Sequence, residues 1–213
     1  MQLAESWREV YPQEEVEEKE AEILIEFFLS EEDEKKIKES KIIDDKFINT
    51  HLKARVTYHH TLLAIQDGVN FQYPIFYNDQ MKVSDILINY VPNNQGRWST
   101  VTERDFSYEV DGLYYSDARV KTFSVYMPAL GTQVRLMYDV VYENVNYLAN
   151  LFVHESFPSE SRKIVVRIPD WLDMQVKLKN DFGFEVSSQN ERPEHSEIAN
   201  YRRMFRRKAN FRL

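Results

Sequence analysis

The chain contains no cysteine among its 213 residues. This absence excludes thiol nucleophiles, disulfide bridges and thiolate metal sites together. It leaves the compartment open, because a cysteine-free protein is stable under both reducing and oxidising conditions. Only five glycines are present, and the sequence lacks the GxGxxG, P-loop, GxSxG and HExxH motifs. No motif therefore indicates a nucleotide site, a serine hydrolase or a zinc protease.

Long apolar runs are also missing. No stretch of about 18 apolar residues occurs, so the sequence predicts no membrane span. The first residues, Met1 to Trp7, lack the apolar centre of a signal peptide. A cytoplasmic protein and a secreted protein without its signal peptide would both begin in this way, so the sequence leaves both open.

Charge is unevenly distributed along the chain, whose net charge is −8. Acidic runs lie at 14–20 and 31–34, and we interpret them as solvated surface, since no EF-hand spacing accompanies them. Residues 191–213 are basic, with apolar residues at helical spacing. We expect a charged extension at 1–20, one β-sandwich domain at 21–190 and a basic tail or linker at 191–213. A nucleic-acid partner is not expected, because the rest of the chain would repel phosphate.

Alternation of apolar and polar residues dominates the middle of the chain. Apolar side chains from Val134 to Tyr142 share one parity, and this period of two is typical of strands with one buried face. Further strands are predicted at 21–29, 52–65, 69–77, 82–91 and 164–168. Asp67-Gly68 predicts a hairpin, and Pro74 an edge position or a bulge. The pattern predicts an all-β fold: an antiparallel sandwich of ten or more strands, with short helices at the chain ends.

Reactive groups form no recognisable constellation. The histidines are too far apart, or point to opposite faces of a strand, for a metal clamp. Carboxylate pairs occur in turn-forming surroundings, where capping explains them. We therefore predict no catalytic residue, no metal ligand and no cofactor. Asp117 and Arg119 share a strand parity, and we expect an ion pair between them or a charged cross-strand ladder.

Aromatic residues offer the clearest binding candidates. Flat rings stack on sugars and anchor protein partners, although core or rim packing is the more ordinary role of such residues. The candidate ligand or partner contacts are Trp98, Tyr114, Tyr115 and Trp171.

The segment from Tyr108 to Val120, with its DGLYYSDARV core, resembles a bacterial domain of unknown function. Relatives of this type precede a transglutaminase-like catalytic domain of the papain type in secreted or envelope proteins. The strand at 123–128, the tyrosine-rich pair at 138–148 and the strand ending in Pro169-Asp170-Trp171 follow in the same order. The resemblance covers 106–184.

The resemblance implies a non-catalytic β-sandwich accessory domain in the periplasm or outside the cell. Its partner would be a transglutaminase-like protein or domain, or another protein or peptide bound in a groove or along a strand edge. Two alternatives stay open. One is a carbohydrate-binding module that uses the aromatic residues, and the other is a hydrolase with a Ser-His or carboxylate site that sequence motifs do not reveal.

Overall fold

The computed structural model of the chain describes residues 2–40, 45–91, 98–107, 117–148, 158–169 and 172. Strands dominate these residues, which confirms the predicted all-β class. The strands are β1 (Val16–Phe28), β2 (Lys53–Ala64), β3 (Val69–Tyr77), β4 (Met81–Val83), β5 (Leu87–Val91), β6 (Ser99–Thr100), β7 (Arg104–Ser107), β8 (Arg119–Met127), β9 (Gln133–Tyr142) and β10 (Arg162–Arg167). The helices are α1 (Gln2–Val10), α2 (Glu31–Ser40) and α3 (Asp45–His51), with a 3-10 turn at Val145–Tyr147. Across the described ranges, no helix is both long and apolar enough to cross a membrane.

Strand β9 confirms the alternation read from the sequence. Its residues from Val134 to Tyr142 are buried at every second position, and the residues between them are partly or fully exposed. Strand β1 begins five residues before the predicted start at Ala21. Because Glu17 and Glu18 are buried in this early part, the acidic run at 14–20 is not wholly solvated surface.

The larger sheet has the strand order β10-β1-β2-β9-β5-β6, and β4 also pairs with β9. The β4–β9, β5–β9 and β5–β6 pairs are antiparallel. At the β10 edge, however, Glu18 and Ser159 form a parallel bridge. Lys163 contacts Glu22 at the same sequence separation of 141 residues. The expectation of antiparallel pairing throughout therefore fails at this edge, where the long intervening chain allows the parallel crossover.

The smaller sheet has the order β3-β8-β7, so β3 is an edge strand, as Pro74 predicted. The predicted hairpin at Asp67-Gly68 is wrong. Strand β3 pairs with β8 along its whole length, whereas β2 belongs to the larger sheet. Gly68 has a positive φ of 69°, and its N–H donates to the Pro128 carbonyl. The Asp-Gly turn therefore moves the chain from one sheet to the other.

The strand predicted at 82–91 is divided into β4 and β5. Val83 lies opposite Val140 and Leu87 opposite Met137, so four residue steps face three on β9. Such a one-residue excess is a β-bulge. Ser84 fills the gap, because its hydroxyl accepts a hydrogen bond from the Asp139 N–H.

The chain divides into two compact units. The first comprises 1–25, 55–142 and 152–165, and its core is formed by alternate residues of the strands, together with a cluster of Ala4, Leu63 and Ile65. The second comprises 26–54, 143–151 and 166–213, and Ile37, Ile48 and Leu52 are among its buried residues.

The domain boundaries at residues 20 and 190 stay predictions. The predicted tail helix lies outside the described residues.

Candidate functional site

The three-stranded sheet has one buried and one exposed face. Buried and exposed residues alternate along most of β3 and along β8 from Phe123 to Met127, whereas Arg119 to Thr122 are half-buried. Five of the inward residues are nearly inaccessible: Val69, Tyr73, Phe123, Val125 and Met127. We call the opposite side the outer face, which comprises Asn70, Gln72, Pro74, Phe76, Arg104, Phe106, Val120, Thr122, Ser124 and Tyr126.

An apolar strip crosses the outer face. Phe76 of β3 and Phe106 of β7 both lie opposite Val120 of the central strand β8. Phe76 is 57% exposed, Phe106 is 48% exposed and Tyr126, on the same face, is 56% exposed. Large aromatic side chains are normally withdrawn from water, so three exposed rings on one face make the outer face a candidate contact surface.

A shallow groove of about 280 Å³ lies beside this strip. Its lining is mostly polar and comprises Asn70, Gln72, Thr102, Arg104, Phe106, Thr122, Phe123 and Ser124. Gln72 donates a 2.5 Å hydrogen bond to the Ser124 hydroxyl, which fixes two of these side chains. Among the described residues that line the groove none is acidic, and the Arg104 guanidinium is the one charged group among them.

The acidic residues of this sheet are bound to basic ones. Arg119 donates to Asp105 Oδ1 at 3.0 Å and to the Tyr77 hydroxyl at 2.9 Å, and Tyr77 in turn donates to Asp105. Burial raises the pKa of Asp105, but the hydrogen bonds from Tyr77 and Arg119 outweigh it and lower the pKa overall. Lys121 pairs with Glu103 in the same way. Arg119 therefore takes part in a charged cross-strand ladder with Asp105, the second of the two arrangements predicted for it.

A second polar group is buried inside the first unit, centred on the fully inaccessible Glu18 carboxylate. Glu18 Oε1 accepts a hydrogen bond from His60 Nδ1 at 2.7 Å. Its Oε2 accepts from Ser159 at 2.7 Å and from Arg162 at 2.5 Å. Burial raises the pKa of Glu18, but the hydrogen bonds from His60, Arg162 and Ser159 outweigh it and lower the pKa. We call Glu18, His60, Tyr73, Ser159 and Arg162 the Glu18 network.

The Glu18 network resembles a catalytic relay only in part. His60 Nε2 lies 3.2 Å from the Tyr73 hydroxyl, and a carboxylate–histidine–hydroxyl series has the connectivity of an activated nucleophile. All three side chains are buried, however, which leaves no room for a substrate beside them. Ser159 contacts the carboxylate, and no described histidine is hydrogen-bonded to a serine. The geometry thus supports a structural role.

Glu17, the neighbour of Glu18, lacks such partners. Its side chain is fully buried, and neither carboxylate oxygen has a hydrogen-bond partner within the described part of the chain. Burial, reinforced by the negative charge of Glu160, raises the pKa of Glu17 to about 7. The pKa values of these two adjacent carboxyl groups are therefore shifted in opposite directions from the usual value, upward for Glu17 and downward for Glu18.

Of the four aromatic residues predicted to contact a ligand, the structure describes one. Trp98 is 39% exposed, directly precedes β6 and does not line the groove. Tyr114, Tyr115 and Trp171 lie outside the described residues. Sequence reasoning missed Phe76 and Phe106. A signal existed for Phe76, because it shares parity with Asn70 and Gln72 and is thus an apolar residue on the polar side of β3.

Metal-ligand geometry is not found in the described ranges, where no three histidine or carboxylate side chains gather closely enough to hold an ion. His51 contacts the Phe47 carbonyl within α3, and His60 belongs to the Glu18 network.

Comparisons with known proteins give little further information. No protein-family model and no curated protein matches the chain. One similar solved structure is described as "a putative protease" from Parabacteroides distasonis, with a TM-score of 0.41 and 12% identity over 71% of this chain. Another is "a putative nutrient binding protein" from Legionella pneumophila, with a TM-score of 0.36 and 13% identity over 62% of this chain. The chain spans 28% and 40% of the lengths of these two proteins.

We expect Glu18→Gln to lower the free energy of unfolding by about 3 kcal/mol, since breaking a buried ion pair by neutralising one member is strongly destabilising. The matched control is Glu22→Gln, because Glu22 lies on the same strand and also contacts β10, through Lys163, but is exposed. The control should cost less than about 1 kcal/mol. Urea unfolding at pH 7 measures both, and equal losses would contradict the argument.

We expect Glu17→Gln to stabilise the protein by an amount that grows as pH rises from about 4.5 through 7. A raised pKa means that the folded protein holds this proton more tightly than the unfolded chain does, so stability falls as pH rises from about 4.5 through 7. The variant lacks this loss and should gain up to about 3 kcal/mol at pH 8, with little difference at pH 4.5.

The free energies of unfolding of the native chain and of Glu17→Gln are compared in urea at each pH. Glu160→Gln, which removes only the neighbouring charge, should give a smaller gain. A Glu17→Gln gain that does not vary with pH would contradict the assignment.

Proposed function

We propose that this chain is a non-catalytic binding domain that holds a protein partner on the outer face of its three-stranded sheet. The observation that carries the proposal is the apolar strip of Phe76, Val120 and Phe106, which is aligned across three strands and exposes both phenylalanine rings to water. Aromatic residues and arginine are enriched at protein interfaces, and Tyr126 and Arg104 on the same face fit that composition.

The composition of strand β3 favours partner binding on the outer face over the addition of a peptide strand along the β3 edge. A proline in an edge strand typically turns its nitrogen to solvent, where it offers no hydrogen-bond donor. A peptide added along β3 would therefore lose a backbone hydrogen bond at Pro74. Side-chain contacts on the outer face do not depend on that donor.

The sequence resemblance supplies the partner class to test first, a transglutaminase-like protein or domain in the periplasm or outside the cell. A nucleic-acid partner is not proposed, because Arg104 is the one basic side chain that the described outer face carries. Neutralising a run of phosphates requires several such charges.

The double variant Phe76→Ser/Phe106→Ser should weaken partner binding at least about tenfold, as expected when central aromatic anchors are truncated. The native chain is used to capture proteins from an envelope fraction, and the main protein identified by mass spectrometry is purified for titration. Tyr147→Ser is the control, since Tyr147 is also exposed but belongs to the second unit.

Circular dichroism and thermal unfolding establish that each variant is folded. If Tyr147→Ser weakens binding as much as the double variant does, or if neither has any effect, the outer face is not the binding surface.

A second candidate function is carbohydrate binding, favoured by the amide and hydroxyl groups in the groove and by the exposed ring of Trp98. If the chain binds carbohydrate, we expect a saturable signal from the native chain on a glycan array. Trp98→Ala should abolish this signal while the fold is retained. An array without such a signal would count against carbohydrate binding and leave protein binding as the remaining proposal.

A further inference from the structure

We infer that Arg104 and the groove beside it receive an acidic side chain of the protein partner. This inference rests on the proposed function, because it specifies what the outer face recognises. It names the partner segment by its chemistry: an aspartate or glutamate close to an apolar residue.

The first argument is the state of Arg104. This exposed residue of β7 makes no side-chain hydrogen bond or ion pair within the described ranges. The two other basic residues of the same sheet are engaged, Arg119 with Asp105 and Lys121 with Glu103. The two acids and their partners lie on the opposite parity, so the described part of the outer face has one positive charge and no acidic residue beside it.

The second argument is the composition of the groove. Arg104 lies opposite Thr122 on β8, and around them are the amide groups of Asn70 and Gln72. These side chains offer hydrogen-bond donors, and the described lining contains no carboxylate that would compete with an incoming anion. A guanidinium binds a carboxylate through two parallel hydrogen bonds, which gives both strength and orientation.

The third argument is size. A groove of about 280 Å³ lies just below the range of 300 to 1,000 Å³ that is typical of small-molecule sites. It accommodates one or two amino-acid side chains more readily than several sugar rings. This favours an acidic side chain of a protein over an acidic oligosaccharide.

The fourth argument is the position of the apolar strip. Phe106 follows Arg104 by two residues on the same face, a distance of about 7 Å along the strand. A partner segment with an acidic and an apolar side chain about that far apart would contact both. Residues i and i+2 of an extended segment meet this spacing.

The test begins with a random 12-residue peptide library, displayed on phage and selected on the full native chain. We expect the selected peptides to carry Asp or Glu two positions from an apolar residue. One of them is then synthesised, together with its Asp→Asn or Glu→Gln counterpart, and both are titrated against the native chain and Arg104→Met.

Loss of the Arg104 guanidinium or of the peptide carboxylate should weaken binding about ten- to a hundredfold. Loss of both groups together should weaken it little further. Arg104→Lys should fall between the native chain and Arg104→Met, because an ammonium group lacks the bidentate geometry. The matched control is Arg135→Met, an exposed arginine on β9 of the other sheet, which should leave the affinity unchanged.

Three outcomes would overturn the inference. Peptides that lose affinity with Phe76→Ser/Phe106→Ser but not with Arg104→Met would leave the proposed function standing without the acidic contact. Peptides whose affinity is unchanged both by Phe76→Ser/Phe106→Ser and by Arg104→Met would overturn both proposals. Competition by a galacturonate trimer at the same concentration as the peptide would show that the groove selects carboxylate sugars as well, against the commitment to a protein.

Discussion

The first unit depends on one buried carboxylate that is shared among several strands. Glu18 lies on β1, and it accepts hydrogen bonds from His60 on β2 and from Arg162 on β10. A buried charge is tolerated only when nearly all its hydrogen-bonding capacity is used, and here both oxygens are engaged. Because a parallel edge strand is held by slanted, slightly weaker backbone bonds, the side-chain contacts of Glu18 help to fix the β10 edge against β1.

The contrast between Glu17 and Glu18 shows how strand parity decides the state of a charge. Consecutive residues of a strand point to opposite faces. One carboxylate meets a histidine, a serine and an arginine, whereas its neighbour meets no hydrogen-bond partner among the described residues and lies near the negative Glu160. The same residue type at adjacent positions therefore stabilises the fold at one site and, at the other, lowers its stability as pH rises from about 4.5 through 7.

The strands of the fold could largely be predicted from the sequence, since the alternation in β9 and in most of β3 follows directly from one-sided burial. Pairing could not. Asp67-Gly68 has the composition of a hairpin turn, but the partner of β3 is β8, about 50 residues later, because sheet membership depends on the whole set of buried faces. The division of β4 from β5 was equally hidden, since a bulge requires only one extra residue.

The candidate site was harder to predict than the fold for a physical reason. Sequence reasoning selected tryptophan and paired tyrosines, which are large and amphipathic, and so pointed to Trp98. Phe76 and Phe106 are individually unremarkable and 30 residues apart, and only their shared register with Val120 makes them a strip. Arg104 becomes distinctive only when the ion pairs of Arg119 and Lys121 are known. A surface of this kind is defined by neighbours from three strands, which no local motif records.

The buried network and the outer face are connected through strand β3. Tyr73 points inward, where its hydroxyl lies 3.2 Å from His60, and its ring packs against Phe123. The residues on either side of it, Gln72 and Pro74, belong to the outer face. The inward contacts of Tyr73 therefore restrict the backbone that carries the groove residues, so a partner that binds there as we propose would meet a surface ordered before binding. Preorganisation of this kind lowers the entropic cost of association, and it would help a small strip of apolar residues and one guanidinium to bind the proposed partner.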